Sequence, residues 1–311
     1  LKAELQNVLN GILVVDKPVG PTSFDMIRRL RRVTGQRKMG HTGTLDPMAS
    51  GVLPICLGQG TKLIPYLEES VKEYSGRMIL GLTTDTDDIT GRVTGKKTRF
   101  DLSHPEIIRT TEEFVGAIEQ VAPAYSAVKI NGRPAYDLAR RGQKVPARSR
   151  QVTIHDLTVT KIDLPYISFC ARVSKGTYIR SLAADLGRRL RTGACLESLR
   201  RLSSGPFSLG KSFSVEHIED KASAGRLEEL LIPMDMALSF MPEIVIPDIQ
   251  VAGVLNGRPL PIGSLPRFSP IPGLFRIRND GMGLLAIYKY NPHVLSGEDD
   301  CLLPLRVLGR K

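Results

Sequence analysis

The chain contains no tryptophan, and aromatic residues make up only 5% of its 311 positions. A surface that grips single strands by stacking base after base on exposed rings is therefore not expected. Cysteine is scarce as well. Cys56, Cys170, Cys195 and Cys301 lie far apart and form no C-x-x-C pair, which fits small apolar residues in a reducing compartment better than disulfides. The five histidines show no metal-ligand spacing. No apolar run approaches the ~18–20 residues of a membrane span. Leu1-Lys2-Ala3-Glu4 lacks the basic start and long apolar stretch of a secretory signal, so a cytoplasmic location is the expectation. Gly58-Gln59-Gly60-Thr61-Lys62 lacks the spacing of a phosphate-binding loop and is read as a glycine turn. Asp85, Asp87 and Asp88 lack the spacing and downstream glutamate of a calcium loop and are read as a hairpin turn. No cofactor and no metal are expected.

What remains is a globular composition, 41% hydrophobic and 24% charged, with length for one large domain or a large one plus a small one. The net charge of +11 and pI near 9.6 point to a polyanion partner. That charge is clustered. Residues 28–38 carry Arg28, Arg29, Arg31, Arg32, Arg37 and Lys38 without an acid, and residues 133–150 carry Arg133, Arg140, Arg141, Lys144, Arg148 and Arg150 against Asp137 alone. With rings so few, a nucleic acid would be held mainly through its phosphates.

The chain is organised around Gly40-His41-Thr42-Gly43-Thr44-Leu45-Asp46-Pro47. The glycines permit sharp turns and close approach of a ligand. Asp46 precedes proline and is biased toward extended geometry, so its carboxylate sits on stiff backbone. The residues alone allow two readings, a turn in which Asp46 bonds its own backbone, or a site.

Along the chain, Gly11–Lys17 reads as a buried strand ending at Pro18-Val19-Gly20-Pro21. Thr22 or Ser23 caps a helix with Phe24, Ile27, Leu30 and Val33 inward and its four arginines mostly toward solvent. Lys72-Glu73-Tyr74 runs into a strand, and Tyr74 is either a packed core residue or an aromatic face for a base. Thr110-Thr111-Glu112-Glu113 reads as a capping box opening a helix with Phe114, Ile118 and Val121 on one face. Residues 152–155 and 167–173 alternate like strands. Ser181 caps a helix through Leu186 and Leu190 that stops near Gly193, leaving Arg180 just outside its N-terminus. A cation is disfavoured there, so an acidic partner is welcome, although a surface arginine is the plainer reading. From about Ile232 the basic residues thin out and prolines recur. Strand candidates flank the turns Asn256-Gly257 and Asn279-Asp280-Gly281, and the segment reads as a small β-rich domain.

Taken in order, these strings resemble the TruB family, the bacterial tRNA pseudouridine synthases. The Asp46 stretch resembles the family's catalytic-aspartate segment, Asp16-Lys17-Pro18 its D-K-P, Lys72-Glu73-Tyr74 its K-x-Y, and Thr84-Asp85-Thr86 its T-D-T. Pro123-Ala124-Tyr125-Ser126-Ala127-Val128-Lys129 and Gly132–Arg140 resemble its P-x-Y-S-A-x-K and G-x-x-x-Y-x-x-A-R elements. Tyr178–Leu182 resembles Y-I-R-S-L, and Gly193–Arg201 resembles G-A-x-L-x-x-L-R-R. Ala122 stands where the family has a second proline, and Met48 and Ser50 replace a leucine and a threonine.

The resemblance implies an α+β catalytic domain over residues 1–236, built on a mixed, mostly antiparallel sheet. It also implies an RNA-gripping thumb insertion near 123–150 and a C-terminal β-barrel PUA-like domain over 237–311. The implied reaction turns uridine 55 of the tRNA T loop into pseudouridine after the base is flipped out. By the same resemblance Asp46 is the nucleophile, paired with Arg180, whose guanidinium would favour the charged carboxylate. Tyr74 stacks on the uracil and Leu199 lines the base pocket. Lys17 with Pro18 shapes the cleft, and His41 fills space vacated by flipped nucleotides. Tyr125, Lys129, Arg133, Arg140, Arg141, Arg148 and Arg150 hold the RNA. The implied partner is tRNA through its T stem-loop, with no membrane and no obligate protein partner. Two other readings compete: an RNA-binding factor without chemistry, and a guide-RNA-dependent synthase. The basic insertion favours the stand-alone kind.

Overall fold

The apolar run at the start of the chain forms β1 (Gly11–Lys17), buried along nearly its whole length. The computed structural model describes residues 8–123, 125–126, 129–130, 132–143, 145–265, 271–291 and 300–308. Of the residues singled out above, the four at the N-terminus, Ala124, Ala127, Val128 and Lys144 lie outside the described residues, as do the side chains of Lys129 and Arg140.

After β1 come α1 (Ser23–Thr34), β2 (Met39–His41), β3 (Ala49–Leu57), a 3₁₀ turn over Gly58–Leu63, α2 (Ile64–Glu68) and β4 (Lys72–Leu80). The acidic cluster lies in the loop of a hairpin, β5 (Leu82–Thr84) and β6 (Val93–Lys96), as expected. Next are α3 (His104–Glu112), β7 (Gly116–Val121), and the insertion with β8 (Lys129–Ile130), β9 (Arg133–Pro134) and α4 (Ala135–Arg140). The chain returns through β10 (Ser149–Asp163), β11 (Tyr166–Val173), α5 (Ile179–Arg189), β12 (Ala194–Ser204), β13 (Phe207–Ser208), α6 (Val215–Ser223) and α7 (Met234–Ala237).

Among the described residues nine of these strands make one sheet in the order β1-β3-β12-β4-β11-β10-β7, with β2 added to β3 and β13 to β12, while β5–β6 and β8–β9 are separate two-stranded pairs. Every pairing is antiparallel except β3 with β12. That parallel junction is tight. Gly51 lies opposite Arg201 with φ +102°, and a Cβ there would come within 2.2 Å of the Arg201 carbonyl oxygen. Only glycine tolerates both conditions. The main core runs along one face of the sheet, where Leu182, Ala183 and Leu186 of α5 and Met26, Ile27 and Leu30 of α1 are buried.

The C-terminal part adds β14 (Glu243–Val245), α8 (Asp248–Leu255), β15 (Leu260–Pro261), β16 (Gly273–Asn279), β17 (Gly283–Tyr290) and β18 (Cys301–Val307). They form a curled half-barrel in the order β14-β16-β17-β18-β15, a PUA-like arrangement with its own core around Ile277, Leu285 and Tyr288. A second apolar cluster joins the two parts. It brings Ile12, Val14, Val52 and Cys56 together with Leu238, Met241, Ile287 and Leu308.

Several sequence-level expectations are corrected. Phe24 is exposed and Met26 takes the inward place, because at helical spacing Ser23, Met26, Ile27 and Leu30 share one stripe and Phe24 falls off it; Thr22 is the N-cap, in reciprocal bonds with Asp25. Thr110–Glu113 does not open a helix. It ends α3, which Ser103 caps and which carries Pro105 in its first turn. Ile118 and Val121 instead belong to strand β7, where the buried Gln120 at an inward position breaks the apolar alternation. Ser181 is not a cap: α5 begins after Tyr178, and the Ser181 hydroxyl donates to Val121 O at 3.0 Å. Asn256-Gly257 closes helix α8 and joins no strands, whereas Asn279-Asp280-Gly281 does turn β16 into β17.

Candidate active site

Asp46 lies in the short loop between β2 and β3, and three residues anchor that segment. Ser23 Oγ accepts from Leu45 N at 2.8 Å and donates to Leu45 O at 3.2 Å. Gly20 N donates to Pro47 O at 2.8 Å. Arg201, 1% exposed, donates from Nη2 to Gly43 O at 3.1 Å and from Nε to Val52 O at 2.6 Å, spanning the segment that carries Asp46. The carboxylate is stiffly held.

Arg180 approaches from the first turn of α5. Its Nε donates to Asp46 Oδ2 at 2.8 Å and its Nη2 to Oδ1 at 3.2 Å, a side-on, two-point pair. The remaining donors are used as well. Nη1 bonds Thr86 O at 2.8 Å and Nη2 bonds Tyr125 O at 2.9 Å. Asp88 Oδ2 lies 3.6 Å from Nη1, so the buried guanidinium, 4% exposed, has a second carboxylate behind it. Asp46, at 35% exposure, keeps access to solvent. The sequence reads Asp88 only as part of a turn, and nothing in the local pattern distinguishes it from Asp85 and Asp87. The loop of the β5–β6 hairpin is bonded to Leu196 of β12, which brings Asp88 to Arg180 and makes the difference.

Asp46 and Arg180 line a cavity of about 310 Å³, at the lower end of ligand-sized pockets. Tyr74 of β4 and Leu199 of β12 are part of its wall, both nearly buried. Lys72, Ser126 and Arg201 also line it. Lys72 Nζ donates to Glu68 O and Ser70 O, each at 2.8 Å, and burial brings its ammonium down to about 8. Asp46, Arg180, Tyr74 and Leu199 thus line one cavity.

Two other expected residues sit elsewhere. Lys17 is fully buried behind the cavity, where Nζ donates to Pro18 O and Pro21 O, and burial brings it to about 8. His41 is half-buried and does not line the cavity. Its Nδ1 accepts from Gly43 N at 3.3 Å, and burial, reinforced by Arg201, lowers its pKa.

In the insertion, Arg133, Arg141 and Arg148 are exposed, with no carboxylate within 4 Å among the described residues. Tyr125 reaches the site by its backbone carbonyl. Arg150 is half-buried, and its guanidinium lies 4.7 Å from the centre of the Tyr178 ring, against the rim of the cavity. Part of the basic α1 face is committed internally, since Arg29 holds Glu219 of α6 by two hydrogen bonds of 2.5 and 2.7 Å. No three His, Cys, Asp or Glu side chains gather as a metal group among the described residues, and no helix there is long and apolar enough to cross a membrane.

Comparison with known proteins agrees with this geometry. Residues 31–179 match the N-terminal domain of the TruB family pseudouridylate synthases, and residues 180–239 match the tRNA pseudouridylate synthase B C-terminal domain. Asp46 and Arg180 thus fall in adjacent matched segments. Fold and site define a pseudouridylate synthase, an isomerase. A protein of Clostridium kluyveri named tRNA pseudouridine synthase B is 44% identical over 249 residues, covering 80% of this chain and 84% of the relative. One of the same name from Bacillus velezensis is 38% identical over 98% of this chain and 99% of its own. A solved Cbf5-Nop10-Gar1 complex has a chain that superposes with a TM-score of 0.75 at 28% identity, covering 96% of this chain and 85% of that one. The chain belongs to the TruB family.

Proposed function

We propose that the protein isomerises uridine 55 to pseudouridine in the T loop of tRNA, without a guide RNA and through Asp46 as the covalent catalyst. The observation that carries this reading is the two-point Arg180–Asp46 pair at a cavity walled by Tyr74 and Leu199. The reaction breaks the N1–C1′ bond, turns the uracil and joins C5 to C1′; C5 loses a proton and N1 gains one. Redox chemistry and an energy source are not needed. Asp46 adds to the nucleotide and later leaves, while Arg180 aligns the attacking oxygen and offsets its charge. A uridine inside a folded loop is out of reach of a recessed carboxylate, so it is flipped out at a cost of a few kcal/mol. Tyr74 then stacks on the base and His41 fills part of the space left behind. Lys17 acts at a distance, by bracing the Pro18–Pro21 turn. Residues 1–236 do the chemistry. The exposed arginines of the insertion, together with Tyr125, Lys129, Arg140 and Arg150, hold the T stem-loop, and residues 237–311 serve as a further RNA-binding module.

Relatives named tRNA pseudouridine synthase B match at 44% identity over 80% of the chain and at 38% over 98% of it, against 28% for the Cbf5 complex, which supports the stand-alone reading. The test is incubation of the purified protein with unmodified tRNA transcript, followed by mapping of pseudouridine. Modification at position 55 without added RNA is expected. Binding that leaves every uridine unchanged, or activity only with a guide, overturns the proposal.

A further inference from the structure

Gln120 is fully buried in β7, and both polar atoms of its side chain are used on one residue. Its Oε1 accepts from Tyr178 N at 2.8 Å and its Nε2 donates to Tyr178 O at 3.0 Å. Tyr178 is the N-cap position of α5 and has no side-chain cap of its own. The first turn of that helix has no acidic residue and carries Arg180, a cation where the helix dipole opposes one. The helix start is therefore intrinsically poor. It is held from outside, by the Gln120 amide and by the bond from Ser181 Oγ to Val121 O.

Register places this anchor at the root of the insertion. Gln120 lies opposite Arg150 in the β7–β10 pair, and Ala122 N donates to Arg148 O one step further out. Arg150 packs its guanidinium on the Tyr178 ring while Gln120 grips the Tyr178 backbone. Two residues along, Arg180 reaches back to Tyr125 O in the insertion and to Asp46 in the cavity. The stem of the insertion and the catalytic ion pair thus share one short segment, Tyr178–Ser181.

We propose that Gln120 is a positioning residue for the reaction: by gripping the Tyr178 backbone it sets where α5 begins, and so holds the Arg180 guanidinium square to Asp46. It touches neither substrate nor Asp46 and acts only through Arg180. This rests on the functional reading above.

The experiment is single-turnover pseudouridine formation on tRNA transcript with saturating enzyme, alongside tRNA affinity and urea unfolding. Gln120→Met keeps length and burial but removes both bonds. The rate constant is expected to fall roughly 10- to 100-fold, the cost of slight misplacement at a reacting centre, while affinity changes less than about threefold. Combined with Arg180→Lys, the losses should not multiply, since both act on the same pair. A merely structural role would lower stability without this split and without the non-additivity. Should Gln120→Met fail to unfold cooperatively, Gln120→Asn, whose amide is too short to reach both Tyr178 atoms, is judged by the same criteria. Parent-like rates in the folded variant, or losses that multiply with Arg180→Lys, overturn the inference alone. A parent that leaves tRNA unmodified overturns the functional reading and this inference with it.

Discussion

Arg180 and Asp46 stand 134 positions apart in the chain and meet through two nearly parallel N–H···O bonds, Nε at 2.8 Å and Nη2 at 3.2 Å. That geometry belongs to a planar guanidinium and cannot be reproduced by a lysine ammonium. Arg180→Lys should retain tRNA binding and lose on the order of 100-fold in single-turnover rate. Arg180→Met should lose more, because Asp46 and Asp88 would then face each other without the cation between them. A parent-like rate for Arg180→Lys would show that the two-point pairing is not needed.

Asp46→Asn preserves shape but is a far poorer nucleophile. It should bind tRNA nearly as the parent does and form no detectable pseudouridine. Substantial activity in the purified variant would remove Asp46 from its assigned role.

The four residues that meet in the cavity are legible through the family resemblance of the strings that carry them, whereas the residues alone leave Asp46 and Tyr74 open and favour a surface arginine for Arg180. The supports are not. Arg201 and Gln120 are polar residues at inward strand positions, where an apolar side chain is the rule, and their partners are backbone groups of distant segments. A single sequence does not encode such pairings locally. The same holds for the misplaced helix start near Thr110, where Phe114, Ile118 and Val121 fit a helical period although Phe114 precedes β7 and the other two lie on its opposite faces.

Salt dependence tests the arginines of the insertion. Arg133, Arg141 and Arg148 are exposed and available to phosphates. Replacing all three by Gln should weaken tRNA binding and flatten log Kd against log salt by up to ~0.7–0.9 for each phosphate no longer neutralised. Arg150 is also engaged with Tyr178, so Arg150→Gln should lower the single-turnover rate as well as the slope. An unchanged slope in the triple variant would place the RNA backbone elsewhere.

Lys17 gives a pH signature in stability. Burial brings its folded pKa to about 8, below the unfolded lysine value, so between about pH 8 and 10.4 the unfolded chain binds more protons and Lys17 opposes folding less as pH rises. The handicap is full below about pH 8. Relative to Lys17→Met, the parent should therefore gain on the order of 1–3 kcal/mol between about pH 7.5 and 10 in urea unfolding. A difference that stays constant over that window would mean that burial does not burden the ammonium.

Gly51→Ala tests the parallel junction. A methyl group would strike the Arg201 backbone at 2.2 Å on a residue whose φ is +102°. A loss of roughly 2 kcal/mol or more is expected, with the Asp46 loop disturbed because Arg201 spans it. Near-parent thermal unfolding would show that β3 and β12 can separate freely.

The apolar cluster between the sheet and the half-barrel has a thermodynamic corollary. The outer face of β1 is shielded by Leu238, Met241, Ile287 and Leu308 as well as by Leu63, Leu67 and Phe207 of its own part of the chain. Removing everything after residue 236 would uncover part of Ile12, Val14 and Val52, and each such side chain is worth about 1.5–3 kcal/mol when fully buried. Even a part of that sum is a large fraction of the stability of an ordinary domain. The two parts should therefore melt as one calorimetric unit, with a single heat-capacity step, and neither half should show a separate transition.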